Sequence, residues 1–565
     1  MKNHKALVIC TLFLVSILSV IWYLSLQIIN FDYKINIENA FLSSLVICSI
    51  YFYVLSLICK NKRKSIIVSI LLLMTYALVS NYTYNFMDSS NKHFNHFQED
   101  SESLVTGPLY AERMRVNNLH GYGLGRYVNV LGEYQKNELF PVSNKDYIAG
   151  YSKTKSEIII NSNDFTRFAL EKLFKIRFEN NETFHVTNIK DNKKNIIITL
   201  DGENVLTQDM YDSIENIIFI DAHGNEKTPA TIMEYKSQYG LQGKIFLFLS
   251  GFMSDDIIKN IKIFKFVLSL LTAITFMIIV LLIFLKYGTA MAGVFYMTFF
   301  LSPWIINFAR NLYWVEFTWF IPMAIGLLCS LHISDKKYRV ACYIGVFISV
   351  LIKCLCGYEY ISTIMMGIIS FLLADLVYAI YNKDKQFFLL VFRTTLILSV
   401  AALLGFIIAL CIHAPLKSDG NILNGLREIY ITDAIRRTVG KTEINSQFCY
   451  NIKSIIDVVG MYFSFKANII SGIPGQMFMV ISVLPLFVII NDRIKRNLGL
   501  RKEYIALYFV FFITSISWFV VAKAHSYFHT HMNYVLWYFG FIQICLFICL
   551  KKIYEIYKYI SNVRK

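Results

Sequence analysis

The chain alternates long apolar runs with short polar segments over most of its length. A helix that crosses a bilayer needs about 20 mostly apolar residues, and twelve runs have a suitable length. The pattern therefore predicts an all-α, multi-pass membrane bundle. The candidate spans occupy about 6–29, 39–59, 65–84, 263–285, 289–308, 317–333, 340–356, 361–381, 387–413, 469–490, 504–522 and 532–550.

One long interval, 85–260, contains no spanning run and mixes polar with apolar residues. We expect it to form an inserted α+β domain, with a helix at 165–176 after Asp164 and a turn at 191–194. Strands are expected around 184–189, 195–200 and 216–220, the last one followed by a turn at 223–225. The expected domains are three helices in 1–84, the α+β domain in 85–260, and about nine helices in 261–565 with a polar loop at 414–468.

Composition supports the membrane class, because 56% of the residues are hydrophobic and only 17% are charged. Such a chain has too little polar surface to cover a soluble protein of 565 residues. The first apolar run, 6–29, is too long for the core of a signal peptide and lacks a small-residue cleavage site. We therefore expect a retained first helix.

The net charge of +16 is spread over short loops and does not form one patch, so a nucleic-acid partner is not expected. Acids outnumber bases by 24 to 19 within 85–260, which leaves 36 bases against 15 acids elsewhere. Basic loops stay on the cytoplasmic side of a membrane. Both termini are therefore expected in the cytoplasm, and 85–260 and 414–468 outside. The basic loops lie near 2–5, 60–64, 336–339, 383–385, 493–502 and 551–565.

The eleven cysteines carry no recognisable chemistry, because most lie singly within apolar runs. Cys354 and Cys356 are two residues apart, and Cys449 stands alone in a polar loop. These spacings match neither a disulfide framework nor a zinc site. We therefore expect no metal centre built on the cysteines.

The first candidate for chemistry is an acidic group after the third apolar run, formed by Glu99, Asp100 and Glu102. Carboxylates this close together raise one another's pKa, so that one of them could act as a base or bind a cation. The alternative is a solvated acidic start of a helix.

The second candidate is the segment 310–316, which interrupts a nearly continuous apolar stretch. That stretch, 289–333, is either two spans or one re-entrant pair. A charge beside hydrocarbon is costly unless it is paired or faces a wet cavity. Arg310 and Glu316 therefore either pair with each other or, together with Tyr313, line a polar site, whereas Trp314 is more typical of an interfacial aromatic belt.

Two further outer segments carry polar groups. Tyr358 and Glu359 lie between apolar runs, and the alternative to a site there is a local ion pair with Lys353. The segment 523–531 contains Lys523, followed by the three histidines His525, His529 and His531.

On a helix, His525 and His529 would share one face, which suits either a metal or a phosphate group. Without a carboxylate ligand the metal signal is weak. The segment 235–243, rich in hydrogen-bonding and aromatic groups, would suit a sugar ring, but a linker turn is the preferred interpretation.

All these groups lie on the expected outer side, whereas the inner loops show bases with few acids. Unrelated surface residues would not favour one side. We infer an outward-facing polar site beneath the large domain.

With this site on the outer side, the chain resembles the GT-C class of membrane glycosyltransferases, which use polyprenyl-phosphate-linked sugars outside the membrane. The resemblance runs from about Ile66 onward, and the acidic motif Glu99–Glu102 in the first large outer loop carries it. It implies that Asp100 is the catalytic base, with Glu102 as its helper. No family motif supplies the substrate-binding residues, which are expected on the chemistry of the outer segments alone. They are Arg310, Tyr313, Glu316, Tyr358, Glu359, Lys523, His525, His529 and His531.

The implied function is transfer of a sugar from a lipid-linked donor to a cell-surface glycan or glycolipid. Polysaccharide polymerase, lipid-linked-sugar flippase or transporter, and ligand sensor stay open as alternatives. Transporters place charges near the bilayer midplane, where few are found here. The composition, rich in Ile, Lys, Asn and Tyr, is typical of an AT-rich bacterium, so we expect the plasma membrane. The sugar, the acceptor and any cofactor stay undetermined.

Overall fold

A computed structural model gives the fold of the chain. It describes residues 37–58, 62–85, 93–113, 120–129, 148–152, 156–162, 170, 173–178, 180–192, 194–212, 217–224, 226–227, 230–254, 256–439, 452–494 and 502–563. The first expected span, 6–29, lies outside these residues.

The N-terminal part of the described chain contains three helices, and an antiparallel β-region follows them. The helices are α1 (Ile37–Ile58), α2 (Lys62–Tyr84) and α3 (His93–Arg113). The strands are β1 (Gly125–Asn129), β2 (Ile148–Ser152), β3 (Glu157–Asn161), β4 (Leu173–Arg177), β5 (Thr183–Asp191), β6 (Asn195–Leu200), β7 (Ile218–Asp221), β8 (Glu226–Lys227) and β9 (Ala230–Glu234), with the short helix α4 (Gln208–Asp212) between β6 and β7.

The strands form two antiparallel sheets among the described residues. β1 pairs with β9, and the other seven follow the order β2-β3-β6-β5-β4-β7-β8. Ile158, Ile176, Ile198 and Phe219 form the centre of the seven-stranded sheet's own buried cluster. Alternation of such residues with exposed ones is typical of a sheet with one covered face.

The strands expected around 184–189, 195–200 and 216–220 are confirmed as β5, β6 and β7. The turn after β7 places Gly224 at φ +82°, a conformation that glycine adopts without strain. The helix expected at 165–176 is wrong at its end, because Leu173–Arg177 is strand β4. Pairing with β5 and β7 and burial of Ile176 outweigh local helix propensity there. Residues 163–169 lie outside the described residues.

The rest of the described chain is helical. Its helices are α5 (Leu241–Ser250), α6 (Ile257–Tyr287), α7 (Thr289–Leu301), α8 (Pro303–Ala309), α9 (Phe317–Leu331), α10 (Lys336–Cys356), α11 (Ile361–Tyr381), α12 (Lys385–Lys417), α13 (Ile422–Glu428), the π-helix Ile429–Ile435, α14 (Arg436–Val439), α15 (Ile452–Phe463), α16 (Met477–Ile494), α17 (Lys502–Val521), α18 (Lys523–Phe528), α19 (Thr530–Asn533), the 3₁₀-helix Tyr534–Tyr538 and α20 (Phe541–Val563).

Six described helices are long and apolar enough to cross a membrane, or up to eight if two bent pairs each count as one span. The bent pairs are Thr289–Leu301 with Pro303–Ala309, at 66°, and Thr530–Tyr538 with Phe541–Ser561, at 52°. Four further apolar helices in the described chain are shorter. The fold is therefore consistent with a membrane-embedded helical bundle, and the number twelve stays a prediction.

Capping side chains set where several helices begin. Asp256 Oδ1 accepts from the Lys259 amide at 3.1 Å, and Asp384 Oδ1 accepts from the Phe387 amide at 2.9 Å. Ser302 caps α8 in the same way, and Pro303 follows at the first helical position. Such residues satisfy amide groups that have no partner within the helix. They fix where α6, α8 and α12 begin.

The helices run up and down, so residues far apart in sequence meet at two opposite ends. At one end, Lys286 Nζ lies 2.8 Å from both carboxylate oxygens of Asp375, and Ser330 Oγ donates to Asp375 at 2.5 Å. These residues belong to the last turns of α6 and α9 and the second half of α11. The other end, called the cluster end below, gathers residues 309–316, 357–360 and 413–417.

Candidate functional site

The segment from Arg310 to Glu316, between α8 and α9, is the centre of the cluster end and is mostly buried. Asn311 Oδ1 accepts from the Tyr313 amide at 3.0 Å and the Trp314 amide at 3.2 Å, which folds the segment into a tight turn. Val315 has φ +42°, an unusual conformation for a β-branched residue. A polar segment between apolar helices is thus held inside the protein.

Glu102 connects this segment to two helices. Its Oε2 lies 2.6 Å from Lys265 Nζ on α6, and its Oε1 accepts from the Leu312 amide at 3.1 Å. Both carboxylate oxygens are therefore occupied, which suits a positioning role better than proton transfer. Asp100 lies two residues earlier on α3, and its side chain lies outside the described residues.

Glu359 is the centre of a buried hydrogen-bond network. Its Oε1 lies 3.2 Å from Arg437 Nη2 and accepts from the Tyr313 hydroxyl at 3.3 Å. Gln238 Nε2 donates both to Glu359 Oε1 and, at 2.6 Å, to the Tyr313 hydroxyl oxygen. Burial, and secondarily the charge of Glu359, raise the pKa of Tyr313 well above its usual value. Four segments that are distant in sequence thus meet at one carboxylate.

The sequence allowed a local ion pair between Glu359 and Lys353. The partner of Glu359 is instead Arg437, and Lys353 Nζ donates to the Gly357 carbonyl oxygen at 2.6 Å. Tyr358 points to a different neighbour, with its hydroxyl 3.2 Å from His413 Nδ1. The adjacent Tyr358 and Glu359 therefore have different surroundings.

The three predicted histidines lie together. The ring centroids of His525 and His529 are 4.6 Å apart, and those of His529 and His531 are 5.6 Å apart. Burial holds the pKa of His525 well below its usual value, and the nearby charges of His529 and Arg437 lower it further. Lys523 is buried at the start of the same segment. Basic side chains of segments 436–437 and 523–531 therefore converge. Within the described chain, no group of three or more His, Cys, Asp or Glu side chains could hold a metal ion.

An aromatic bridge joins segment 310–316 to the histidines. The rings of Trp314 and Tyr360 are stacked, with 5.7 Å between their centroids and 10° between their planes. Tyr360 contacts Trp518 edge-on, with 5.8 Å between the ring centroids. Trp518 in turn contacts His525 at 5.9 Å. The Nε1 atoms of Trp314 and Trp518 and the hydroxyl of Tyr360 are buried without a hydrogen-bond partner among the described residues. Such donor groups need a water molecule or a ligand to accept their hydrogen bonds.

Arg310 and Glu316 do not pair with each other. Arg310 Nη1 donates to the Tyr82 carbonyl oxygen at 3.2 Å. Glu316 is fully buried, and neither of its carboxylate oxygens has a hydrogen-bond partner in the described part of the chain. Burial raises the pKa of this carboxyl group well above its usual value, so its neutral form is favoured.

The structure thus brings Tyr313 directly to Glu359, joins the histidines to each other, and ties Glu102 to the same segment through Leu312. It leaves Arg310, Glu316 and Tyr358 in separate surroundings at the same end. The sequence pointed to 235–243 as a hydrogen-bonding segment, which contains Gln238, but preferred a linker. It gave no signal for Lys265 or Arg437, whose roles depend on helix packing.

Comparisons with protein-family models, with curated proteins and with solved structures found no match. The side chains at the cluster end therefore provide the basis for a functional proposal.

Proposed function

We propose that this protein is an integral membrane glycosyltransferase that moves a sugar, with inversion, from a polyprenyl-phosphate donor to a cell-surface glycan or glycolipid. The observation that carries the proposal is the convergence of buried carboxylates, Arg437 and three histidines at one end of an apolar bundle. The proposal includes a GT-C-like bundle of twelve spans in the plasma membrane, with the cluster end outside and both termini in the cytoplasm.

The donor phosphate suits the basic part of the cluster. Arginine and imidazole groups donate hydrogen bonds that fit phosphate oxygens. Arg437 supplies the guanidinium, and Glu359 balances its charge when no ligand is bound. Lys523, His525, His529 and His531 lie on the adjoining segment, and Arg310 is a further donor at the same end. The negative charge of the donor phosphodiester would make protonation of His525 easier.

The sugar suits the aromatic bridge and the amide groups beside it. Indole and phenol rings pack against sugar rings, and their N–H and O–H groups donate to sugar oxygens. Trp314, Tyr360 and Trp518 have buried donors without partners in the described chain, and Gln238 adds an amide. Tyr313, Glu316, Tyr358 and Glu359 complete the proposed binding surface.

The proposed reaction is a single displacement. The acceptor hydroxyl oxygen attacks the anomeric carbon, the bond from this carbon to the phosphate oxygen breaks, and its electron pair leaves with the polyprenyl phosphate. Asp100 takes the hydroxyl proton as general base. Glu102 keeps α3 in place through Lys265 and Leu312. The basic cluster stabilises the leaving phosphate.

Reconstitution in proteoliposomes with a radiolabelled polyprenyl-phosphate sugar tests the proposal. Asp100→Asn should lower turnover by about a hundredfold or more, the usual effect of losing a general base, while donor binding survives. Glu112→Gln is the matched control, because Glu112 is an exposed carboxylate on the same helix and should tolerate the change. Near-normal turnover of correctly inserted Asp100→Asn would reject the assignment.

An ion-coupled transporter or flippase is the second candidate, and Glu316 is the observation in its favour. A buried carboxyl group without a partner in the described chain is typical of proton-binding sites in carriers. The same vesicles, loaded with a pH-sensitive dye and the labelled donor, separate the two functions. Label that crosses the membrane unchanged, together with protons, supports transport, whereas label transferred to an acceptor supports the enzyme. A polymerase would extend the acceptor by many units.

A further inference from the structure

Residues 422–439, called the strap below, comprise α13, the π-helix and α14. The chain leaves α12 at Lys417 and turns back through Asp419 and Gly420, with φ of +41° and +92°. Gly425 then lies so close to α12 that a Cβ atom there would collide with the carbonyl oxygen of Ala414. The strap therefore returns along the end of the helix from which it came.

The outer face of the strap presents large exposed apolar side chains around the exposed Arg427. Leu423 is 79% exposed, Tyr430 62% and Ile431 49%. The adjoining surface of α12 is apolar as well, with Ile408 and Ile412 exposed, and α12 is one of the helices able to cross a membrane. Because Gly425 touches α12 at Ala414, the exposed apolar side chains of the strap lie close to those near the end of that helix.

The inner face of the strap is polar and fixed to several elements. Asp433 is buried and lies 2.9 Å from Lys417 Nζ. Arg436 Nη2 donates to Ser237 Oγ at 3.4 Å, and Thr438 Oγ1 donates to the Val521 carbonyl oxygen at 2.8 Å. Arg437 reaches furthest inward, to the buried carboxylate of Glu359.

We propose that the strap lies in the membrane interface, with Leu423, Tyr430 and Ile431 in contact with lipid, and that the ion pair of Arg437 with Glu359 is the latch that closes the cluster end. An element with one apolar and one polar face lies stably at the boundary between headgroups and acyl chains. Removing one partner of a buried ion pair leaves the other charge buried and unpaired, which is strongly destabilising. The intact pair can therefore hold the strap against the rest of the protein. This proposal concerns how ligands reach the side chains of the cluster end, and it holds for either proposed function.

The lipid contact is testable with the wild-type protein in nanodiscs that contain a phospholipid with a photoreactive diazirine near its headgroup. Mass spectrometry after illumination should find label on peptides that contain Leu423, Tyr430 and Ile431. Phe174 and Met233, each 41% exposed on the sheets, serve as internal controls and should stay unlabelled. Label on α12 but none on the strap would overturn the membrane placement.

Cys356 is a native reporter for the latch. It is 5% exposed, lies three residues before Glu359, and its sulfur accepts from the Gln242 backbone amide. In Arg437→Gln, a thiol reagent should modify Cys356 at least about tenfold faster than in the wild type, because losing one partner of a buried pair favours the open state. Arg427→Gln, which removes an exposed arginine from the same strap, should leave the rate unchanged.

Buried cysteines far from the strap distinguish opening from unfolding. Cys329, Cys342 and Cys545 should stay unmodified in Arg437→Gln if only the latch opens. If these cysteines also react, Arg437→Gln is partly unfolded, and the same measurement is made on Glu359→Gln. That variant removes the same ion pair with a side chain of equal size. An unchanged Cys356 rate in a variant whose distant cysteines stay protected would overturn the latch.

Discussion

At the scale of single residues, the carboxylates of the candidate site differ in their ion-pair and hydrogen-bond partners. Glu102 has Lys265 and a backbone amide, and Glu359 has Arg437, Tyr313 and Gln238. Glu316 has no hydrogen-bond partner within the described chain. Three acidic residues at one end of the bundle therefore have three different hydrogen-bonding environments.

Glu316 yields a prediction for the pH dependence of stability. Its pKa in the folded protein lies well above 4.5, its ordinary value, so folding favours the protonated form. The stability from this group is fully present below pH 4.5 and is lost as pH rises through the folded pKa. The thermal unfolding midpoint in detergent should fall over that range, and Glu316→Gln should reduce the slope. The same slope in both proteins would contradict this origin.

At the scale of elements, ion pairs near the helix ends connect spans that are not adjacent in sequence. Lys286 on α6 meets Asp375 on α11, with Ser330 of α9 donating to the same carboxylate. The three helices are thus joined at the end opposite the cluster. This contact fixes how they stand relative to one another.

We expect Asp375→Asn to lower stability by on the order of 3 kcal/mol, because it leaves the largely buried Lys286 ammonium without its counter-charge. Lys286→Gln together with Asp375→Asn should recover part of the loss, since neither residue is then charged. Thermal unfolding of the purified single and double variants measures both effects. Additive losses in the double variant would mean that the two residues do not stabilise each other.

At the scale of the whole molecule, the basic segments indicate how the bundle is oriented in a membrane. The cluster end carries the proposed site. The basic segments 336–339 and 383–385 lie at the opposite end, where α10 and α12 begin. If basic loops stay in the cytoplasm, the cluster end faces outward. The direction of the bundle therefore decides which substrates can reach the site.

Single engineered cysteines test this orientation. The labelling of each variant is compared with that of the protein that carries only its native cysteines. A cysteine at Asn192, in the turn after β5, should react with an impermeant reagent in intact cells. A cysteine at Asn497, which lies outside the described residues, should react only after permeabilisation. The reverse pattern would place the cluster end in the cytoplasm.

The sequence alone determined the features that depend on local pattern. Apolar runs predicted most described helices, because a helix in lipid must satisfy its own backbone and show apolar side chains. Alternation predicted β5, β6 and β7. It also identified the polar segments of the cluster end, including 310–316 and 523–531, because charged and polar residues are conspicuous between such runs.

The tertiary structure alone decided which of these groups meet. Strand β4 was expected as a helix because its pairing with β5 and β7 is not visible in local pattern. The partner of Glu359 is Arg437, 78 residues away, although Lys353 is close in sequence. Side-chain contacts over such separations depend on how helices pack and in which direction they run. That packing is a property of the whole fold, which no short window of sequence contains.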